Sequence, residues 1–264
     1  MPETQANGIA IHHRFDGPQD APVLMLSNSL GTRLEMWDSQ IRALAARYRV
    51  LRYDGRGHGR TAVPDGPYGI RLLAEDAIAL LDALGVERAH FCGLSKGGMV
   101  GQVLGAEHGD RISSLTLCAT ACRLGPKELW NERIAAVIEK GMPAVAEGVL
   151  ERWLTRRYRE EAPAEVERVR EMILETPSRG YAGCCAAIRD MDLCGMLSRI
   201  RVPTLVIAGE DDPATPPDVV RAVHERIPGS RLVVIPQAAH LLNIEQAETF
   251  NRTLLGFLDQ HTKP

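Results

Sequence analysis

One serine in the chain stands where a nucleophile can be held. It is the centre of Gly93-Leu94-Ser95-Lys96-Gly97, within the stretch HFCGLSKGGMVGQ. A strand-like apolar run, Ala89 to Cys92, breaks at Gly93, and a helical pattern follows Gly98. A serine on so sharp a strand-to-helix turn takes a strained backbone conformation and presents its hydroxyl at the helix N-terminus. Side chains two positions to either side would strike neighbouring backbone, which glycine avoids. Gly97, Gly101 and Gly105 then recur every four residues along one helix face. Each costs about 1 kcal/mol against alanine, a loss that is offset if the helix lies close on a sheet. The same residues also describe a glycine-rich turn with an incidental serine, and only catalytic partners separate the two readings.

A serine hydroxyl attacks well when a base removes its proton, and that base must be oriented by an acid. Two later loops offer these groups. TLVIAG is followed by EDDPATPP, where Glu210, Asp211 and Asp212 compete for the acid. Such residues are also turn formers and helix caps, so at least two of the three should be structural. RLVVIP is followed by QAAH, which places His240 just past the last strand. The alternative acid position, in ATACRLGP after the strand ending near Cys118, holds no carboxylate. The other histidines fit less well: His12, His13 and His90 fall in strands, His108 and His224 on helices, and His261 in the tail. His58, in GRGHGR, reads as loop packing.

These loops need a scaffold, and the pattern of the chain supplies one. GIAIHHRF, PVLMLSN, RVLRYD, RAHFC, ISSLTLCAT, PTLVIAG and RLVVIP read as strands, several of them continuously apolar as in a fully covered sheet. Between them lie helical patterns such as IRLLAEDAIALLDALG, closed by Gly85. The alternation predicts an α/β fold, a mostly parallel sheet with helices on both faces. In an open α/β sheet the loops at the strands' carboxyl ends share one edge, where ligands bind. Residues 123–195 break the alternation with consecutive helices whose starts fall near Pro126, Pro143, Pro163 and Pro177. The predicted organisation is a core of residues 1–122 and 196–264 with a helical lid at 123–195.

Composition excludes other classes. The net charge of −3, with scattered Lys and Arg, offers no field suited to nucleic acid or anionic lipid. No segment reaches the roughly 18 apolar residues of a membrane span. The N-terminus MPETQANGIAIHH lacks a signal-peptide pattern, and the six cysteines lack metal-ligand spacing. Buried free thiols and a cytoplasmic protein are the expectation.

The motifs resemble the α/β-hydrolase superfamily, which implies a mostly parallel eight-stranded sheet, and, more closely, the 3-oxoadipate enol-lactonases of aromatic catabolism. The matching stretches are LSNSLGT, MWDSQ, RYDGRGHG, FCGLSKGG, GYAGCCAAIRDMDL, AGEDDPATPP and AAHLLNIEQ, nearly the whole chain. SNSLGT and the GYAGCCAAI segment are the more specific of these. By position, the resemblance implies Ser95 as nucleophile, His240 as base and Asp212 as orienting acid, since G-x-x-D-x-x-T-P falls on Gly209, Asp212, Thr215 and Pro216. It further implies an oxyanion hole from the backbone N–H groups of Leu30 and Lys96, and chemistry that asks for no metal or organic cofactor.

Lys96 departs from the family, whose members usually carry an apolar residue there; its ammonium either sits near the pocket, where it would favour an anionic substrate, or points to water, which is the expectation. The lactone that the resemblance implies bears a free carboxylate, so the lid should offer a cation. Trp130 and Arg133, three apart on a lid helix, share a face and are the candidates. A carboxylesterase or perhydrolase with the same triad is the nearest alternative. A non-catalytic ligand receptor of the same fold is the alternative from another class. A haloalkane dehalogenase would carry an aspartate at position 95.

Overall fold

The apolar runs become strands because a sheet covered on both faces can bury every side chain along them. The structure, a computed structural model, describes residues 2–262. Its strands are β1 (Glu3–Ala6), β2 (Ile9–Asp16), β3 (Val23–Ser27), β4 (Arg49–Tyr53), β5 (Ala89–Leu94), β6 (Ile112–Cys118), β7 (Thr204–Gly209) and β8 (Arg231–Ile235). They form one sheet in the order β1-β2-β4-β3-β5-β6-β7-β8. β2 pairs antiparallel with β1 and β4, and every later pairing is parallel. The central β5 and β7 are buried at every residue. The strand order reverses between β3 and β5, which opens a crevice above their carboxyl ends.

Helices cover the sheet. In the core these are α1 (Asp38–Leu44), α2 (Ile70–Ala83) and α3 (Lys96–Glu107). The expected lid follows as α4 (Lys127–Lys140), α5 (Pro143–Trp153), α6 (Arg156–Glu161), α7 (Pro163–Leu174) and α8 (Ser178–Asp190). The core then resumes with α9 (Pro217–His224), α10 (Leu242–Glu245) and α11 (Ala247–His261). Pro143 and Pro163 occupy first turns, where a missing N–H costs nothing, and Pro126 and Pro177 sit at N-caps. α6 is absent from the sequence expectation, because RRYREE has no apolar stripe to betray it.

The helix glycines have the packing role expected of them. A Cβ on Gly101 would lie 2.9 Å from Leu117 Cδ2 and 3.0 Å from Phe91 Cε1, so α3 rests directly on β5 and β6.

The cysteine expectation needs correcting. Cys92, Cys118, Cys184 and Cys185 are buried free thiols, but Cys122 and Cys194 form a disulfide across 72 residues. The pairing arises because the chain leaves the core at one residue and returns at the other. There the two stems run together, with Leu193 N–H donating to Cys122 O at 2.8 Å.

Candidate active site

The sharp turn after β5 is sterically forced. A Cβ on Gly93 would sit 2.1 Å from Gly97 O, and one on Gly97 would sit 2.2 Å from Ser27 O, so neither position accepts a side chain. Between them Ser95 is held at φ 56°, ψ −113°, a conformation that costs a few kcal/mol and persists only where surroundings over-determine it. Those surroundings are visible: Ser95 N–H donates to Cys118 O at 2.8 Å, and Ser95 O accepts from Thr120 Oγ1 at 2.9 Å. The side chain stays 8% exposed at the N-terminus of α3, where the helix dipole favours negative charge.

The structure separates the three competing acids. Glu210 and Asp211 are exposed. Asp212 is buried: its Oδ1 accepts the N–H groups of Ala214 (2.8 Å) and Thr215 (3.0 Å), and its Oδ2 accepts Thr215 Oγ1 (2.7 Å) and His240 Nδ1 (2.8 Å). Burial alone would raise this carboxyl, but the His240 charge and the donors outweigh it and hold Asp212 below its ordinary value. With Nδ1 committed to Asp212, the His240 Nε2 is the ring nitrogen left to take a proton. The indole of Trp153 stacks on the imidazole at 6.0 Å between centroids. The Ser95 hydroxyl and His240 imidazole share the sheet's carboxyl edge without a hydrogen bond between them, a contact that often forms only around substrate.

The lid is tied to this base. Leu241 N–H donates to Trp153 O at 3.0 Å. Glu245 Oε1 accepts from Ala239 N (3.0 Å) and Thr155 N (3.1 Å), while its Oε2 accepts Thr155 Oγ1 (2.7 Å). One carboxylate therefore braces the residue beside His240 and the end of α5 together.

Across the crevice, the loop after β3 runs Asn28-Ser29-Leu30-Gly31. Asn28 O accepts from Gly97 N–H at 3.1 Å, which binds this loop to the nucleophile turn. Leu30 N–H makes no hydrogen bond among the described residues. Lys96 N–H, first in α3, has no helical acceptor. Both donors that the resemblance implies are thus unspent.

His58 is fully buried and has a more definite place than loop packing. Its Nε2 accepts from Gly31 N–H at 2.9 Å and its Nδ1 donates to Arg56 O at 3.2 Å. The Lys96 expectation is overturned. Its side chain is only 3% exposed, with Nζ lying 4.0 Å from Cys184 Sγ beneath the 55–58 turn.

Trp130 and Arg133 share a face of α4 as expected, the guanidinium carbon lying 5.2 Å from the indole centroid. Arg133 forms no ion pair among the described residues, and neither does Arg152 on α5, which the sequence reading did not single out. Burial first, and then repulsion from Arg133, lower the Arg152 pKa. Tyr181 of α8 completes the group. Its ring lies 3.1 Å from where a Gly31 Cβ would be, and its buried hydroxyl lies beside the Arg133 guanidinium. Burial and neighbouring Cys185 raise that hydroxyl's pKa, while Arg133 and Arg152 pull it down. Two cations without carboxylate partners and a buried hydroxyl therefore gather in the lid close to the loop of Leu30.

No metal site competes with this reading: among the described residues, no three His, Cys, Asp or Glu side chains cluster as ligands. Among the described residues, no helix is long and apolar enough to cross a membrane.

Comparison with known proteins agrees with the fold. The α/β-hydrolase fold family model matches residues 22–247, and the chain belongs to that family. Within it, the protein is a carboxylic-ester hydrolase of the serine-hydrolase type, closely related to the 3-oxoadipate enol-lactonases. It is 39% identical to 3-oxoadipate enol-lactonase 2 of Acinetobacter baylyi, over 94% of this chain and 93% of that one. The crystal structure of the enol-lactonase from Burkholderia xenovorans LB400 superposes with a TM-score of 0.96 at 44% identity, covering 98% of this chain and 100% of that one. A thermophilic esterase from Thermogutta terrifontis gives 0.92 at 29% identity, covering 99% of each chain.

Proposed function

We propose that the protein opens 3-oxoadipate enol-lactone to 3-oxoadipate in the β-ketoadipate route of aromatic catabolism. Ser95 Oγ attacks the lactone carbonyl while His240 Nε2 takes its proton and Asp212 steadies the imidazolium. The N–H groups of Leu30 and Lys96 receive the oxyanion, where losing one such donor costs about 3–4 kcal/mol. The ring C–O bond breaks, and the leaving enolate takes the proton held by the His240 imidazolium to become a ketone, which returns His240 to its neutral form. Water, deprotonated by His240, then cleaves the acyl-enzyme. Residues 1–122 and 196–264 serve as the catalytic core and 123–195 as its lid.

The substrate assignment rests on one observation above all. Among the described residues Arg133 and Arg152 have no carboxylate partner, and both lie by the buried Tyr181 hydroxyl, so the lid is short of an anion. A lactone bearing a carboxylate supplies it, with Trp130 as an apolar wall. The match to the Acinetobacter enol-lactonase covers 94% of this chain, lid included, and supports the same choice.

The test is ring opening of the purified enol-lactone, followed as loss of its ultraviolet absorbance. The wild-type chain should turn it over with kcat/KM at least a hundredfold above that for aryl acetates, and Ser95→Ala should not. A preference for the aryl ester would move the assignment to the carboxylesterases. Cytoplasmic location is part of this reading, and there the Cys122–Cys194 pair should be kept as thiols. Alkylating intact cells before lysis checks this: label on both cysteines supports the cytoplasm, and an intact bridge argues for an oxidising compartment.

A further inference from the structure

Lys96 is in a place where a lysine should be costly. It opens α3, and a cation at a helix N-terminus opposes the macrodipole. Its side chain is 3% exposed, yet among the described residues no carboxylate lies within 4.0 Å of it. Asp76 lines the same small void of about 10 Å³, and that carboxylate is already engaged. It takes two bonds from Arg56, at 2.8 and 2.6 Å, and one from Asn7 Nδ2 at 2.8 Å. A buried charge left without a partner costs several kcal/mol.

The surroundings show where that charge is felt. The Nζ would be 3.2 Å from a Cβ on Gly55 and is 4.0 Å from Cys184 Sγ, so it lies beneath the turn carrying His58 and against lid helix α8. His58 carries no competing charge. Burial, and then Lys96 itself, push its imidazole well below the ordinary range, and its Nε2 serves as acceptor for Gly31 N–H. The uncompensated positive charge in this layer therefore belongs to Lys96. The same residue supplies a backbone N–H to the oxyanion hole, and the other donor, Leu30, is next to the Gly31 that His58 holds.

We propose that the Lys96 side chain is a positioning residue for the transition state. It is a buried cation without a carboxylate partner among the described residues, carried by the residue whose own N–H enters the oxyanion hole, and its field stabilises the negative charge developing on the substrate oxygen. It touches neither substrate nor nucleophile and acts through the charge it holds behind the nucleophile turn. In a site shielded from water, fixed charge of this kind acts far more strongly than at the surface. Its destabilising burial is then the counterpart of its use. This rests on Ser95 being the nucleophile, but it does not depend on which ester or lactone is the natural substrate.

The test compares Lys96→Met and Lys96→Gln with the wild type on p-nitrophenyl acetate, a neutral substrate that gives the cation no carboxylate to attract. Removing the charge should lower kcat about tenfold and leave KM within twofold. Affinity for phenylboronate, whose Ser95 adduct is anionic and tetrahedral, should fall by the same factor. The melting temperature of Lys96→Met should rise by several degrees as the desolvation cost disappears. Should Met pack badly, Lys96→Gln keeps a polar side chain while removing the charge and carries the same kinetic expectation. Unchanged kcat and boronate affinity, with or without a gain in melting temperature, would overturn the proposal. Fluorophosphonate labelling separates the two levels of the argument. No label on wild-type Ser95 removes the nucleophile and this inference together, whereas equal labelling rates in wild type and both variants remove the inference alone.

Discussion

The nucleophile turn and the first lid helix face the same crevice under opposite constraints. α3 buries every residue from Lys96 to Gly105, whereas α4 buries Val137 alone and leaves Leu129 and Ile138 more than half exposed. At the turn, an added methyl meets backbone at little over 2 Å; on α4, Arg133 lies over an indole and has no ionic partner. The chemistry is thus held by parts that cannot move without unfolding. The group expected to choose the substrate is carried by a helix that packs along α8 yet leaves most of its side chains open to water, and its charge has no ionic partner among the described residues. Closed packing is placed where bonds change, and open charge where the ligand must be recognised.

The contrast can be broken at either end, beginning with the largest effect. Asp212→Asn keeps the shape of the orienting residue but loses its charge, and kcat should drop about 10⁴-fold with an unchanged circular dichroism spectrum. A drop of less than tenfold would mean that the acid is another residue. Gly97→Ala should lose about 3 kcal/mol in urea unfolding, because its Cβ would overlap Ser27 O. A stable Gly97→Ala enzyme would show that the turn has room after all.

On the lid, Arg133→Met should raise KM for the enol-lactone about tenfold or more and leave KM for a neutral ester within twofold. Equal effects on both would make Arg133 a packing residue. The smallest effect concerns His90, in the strand that leads into the turn. Burial, with help from the His261 and Arg88 charges, lowers its pKa to about 4 from 6.5. Between those values the unfolded chain binds more protons than the native one. The stability it contributes is therefore complete above pH 6.5 and lost as pH falls towards 4. Urea titrations at pH 7 and pH 4.5 should differ by about 1–2 kcal/mol more in the wild type than in His90→Gln.

How much of this was legible beforehand follows the same division. The turn could be read because its constraints are local: glycines at 93 and 97 are required by atoms a few residues away. The parallel sheet and the helical insertion were equally plain from the alternation of patterns. Residue types alone did not separate Asp212 from its two neighbours, since the burial and hydrogen bonds that single it out depend on His240 and on how the loop folds. Lys96 was misread for a related reason: its cover comes from the 55–58 turn and from Cys184 in the lid, segments distant along the chain. Arg152, Tyr181 and Glu245 went unnoticed because their importance lies in neighbours that meet only once the lid closes over the core.

Wherever the pair is oxidised, the bridge between Cys122 and Cys194 makes the lid a ring fastened at its neck. By chain-entropy reasoning, closing a loop of 72 residues removes roughly 4 kcal/mol of freedom from the unfolded chain. A protease that nicks any connector within the ring does not sever the molecule. The cut chain runs as one species on a denaturing gel until a reductant is added, and only then falls into two.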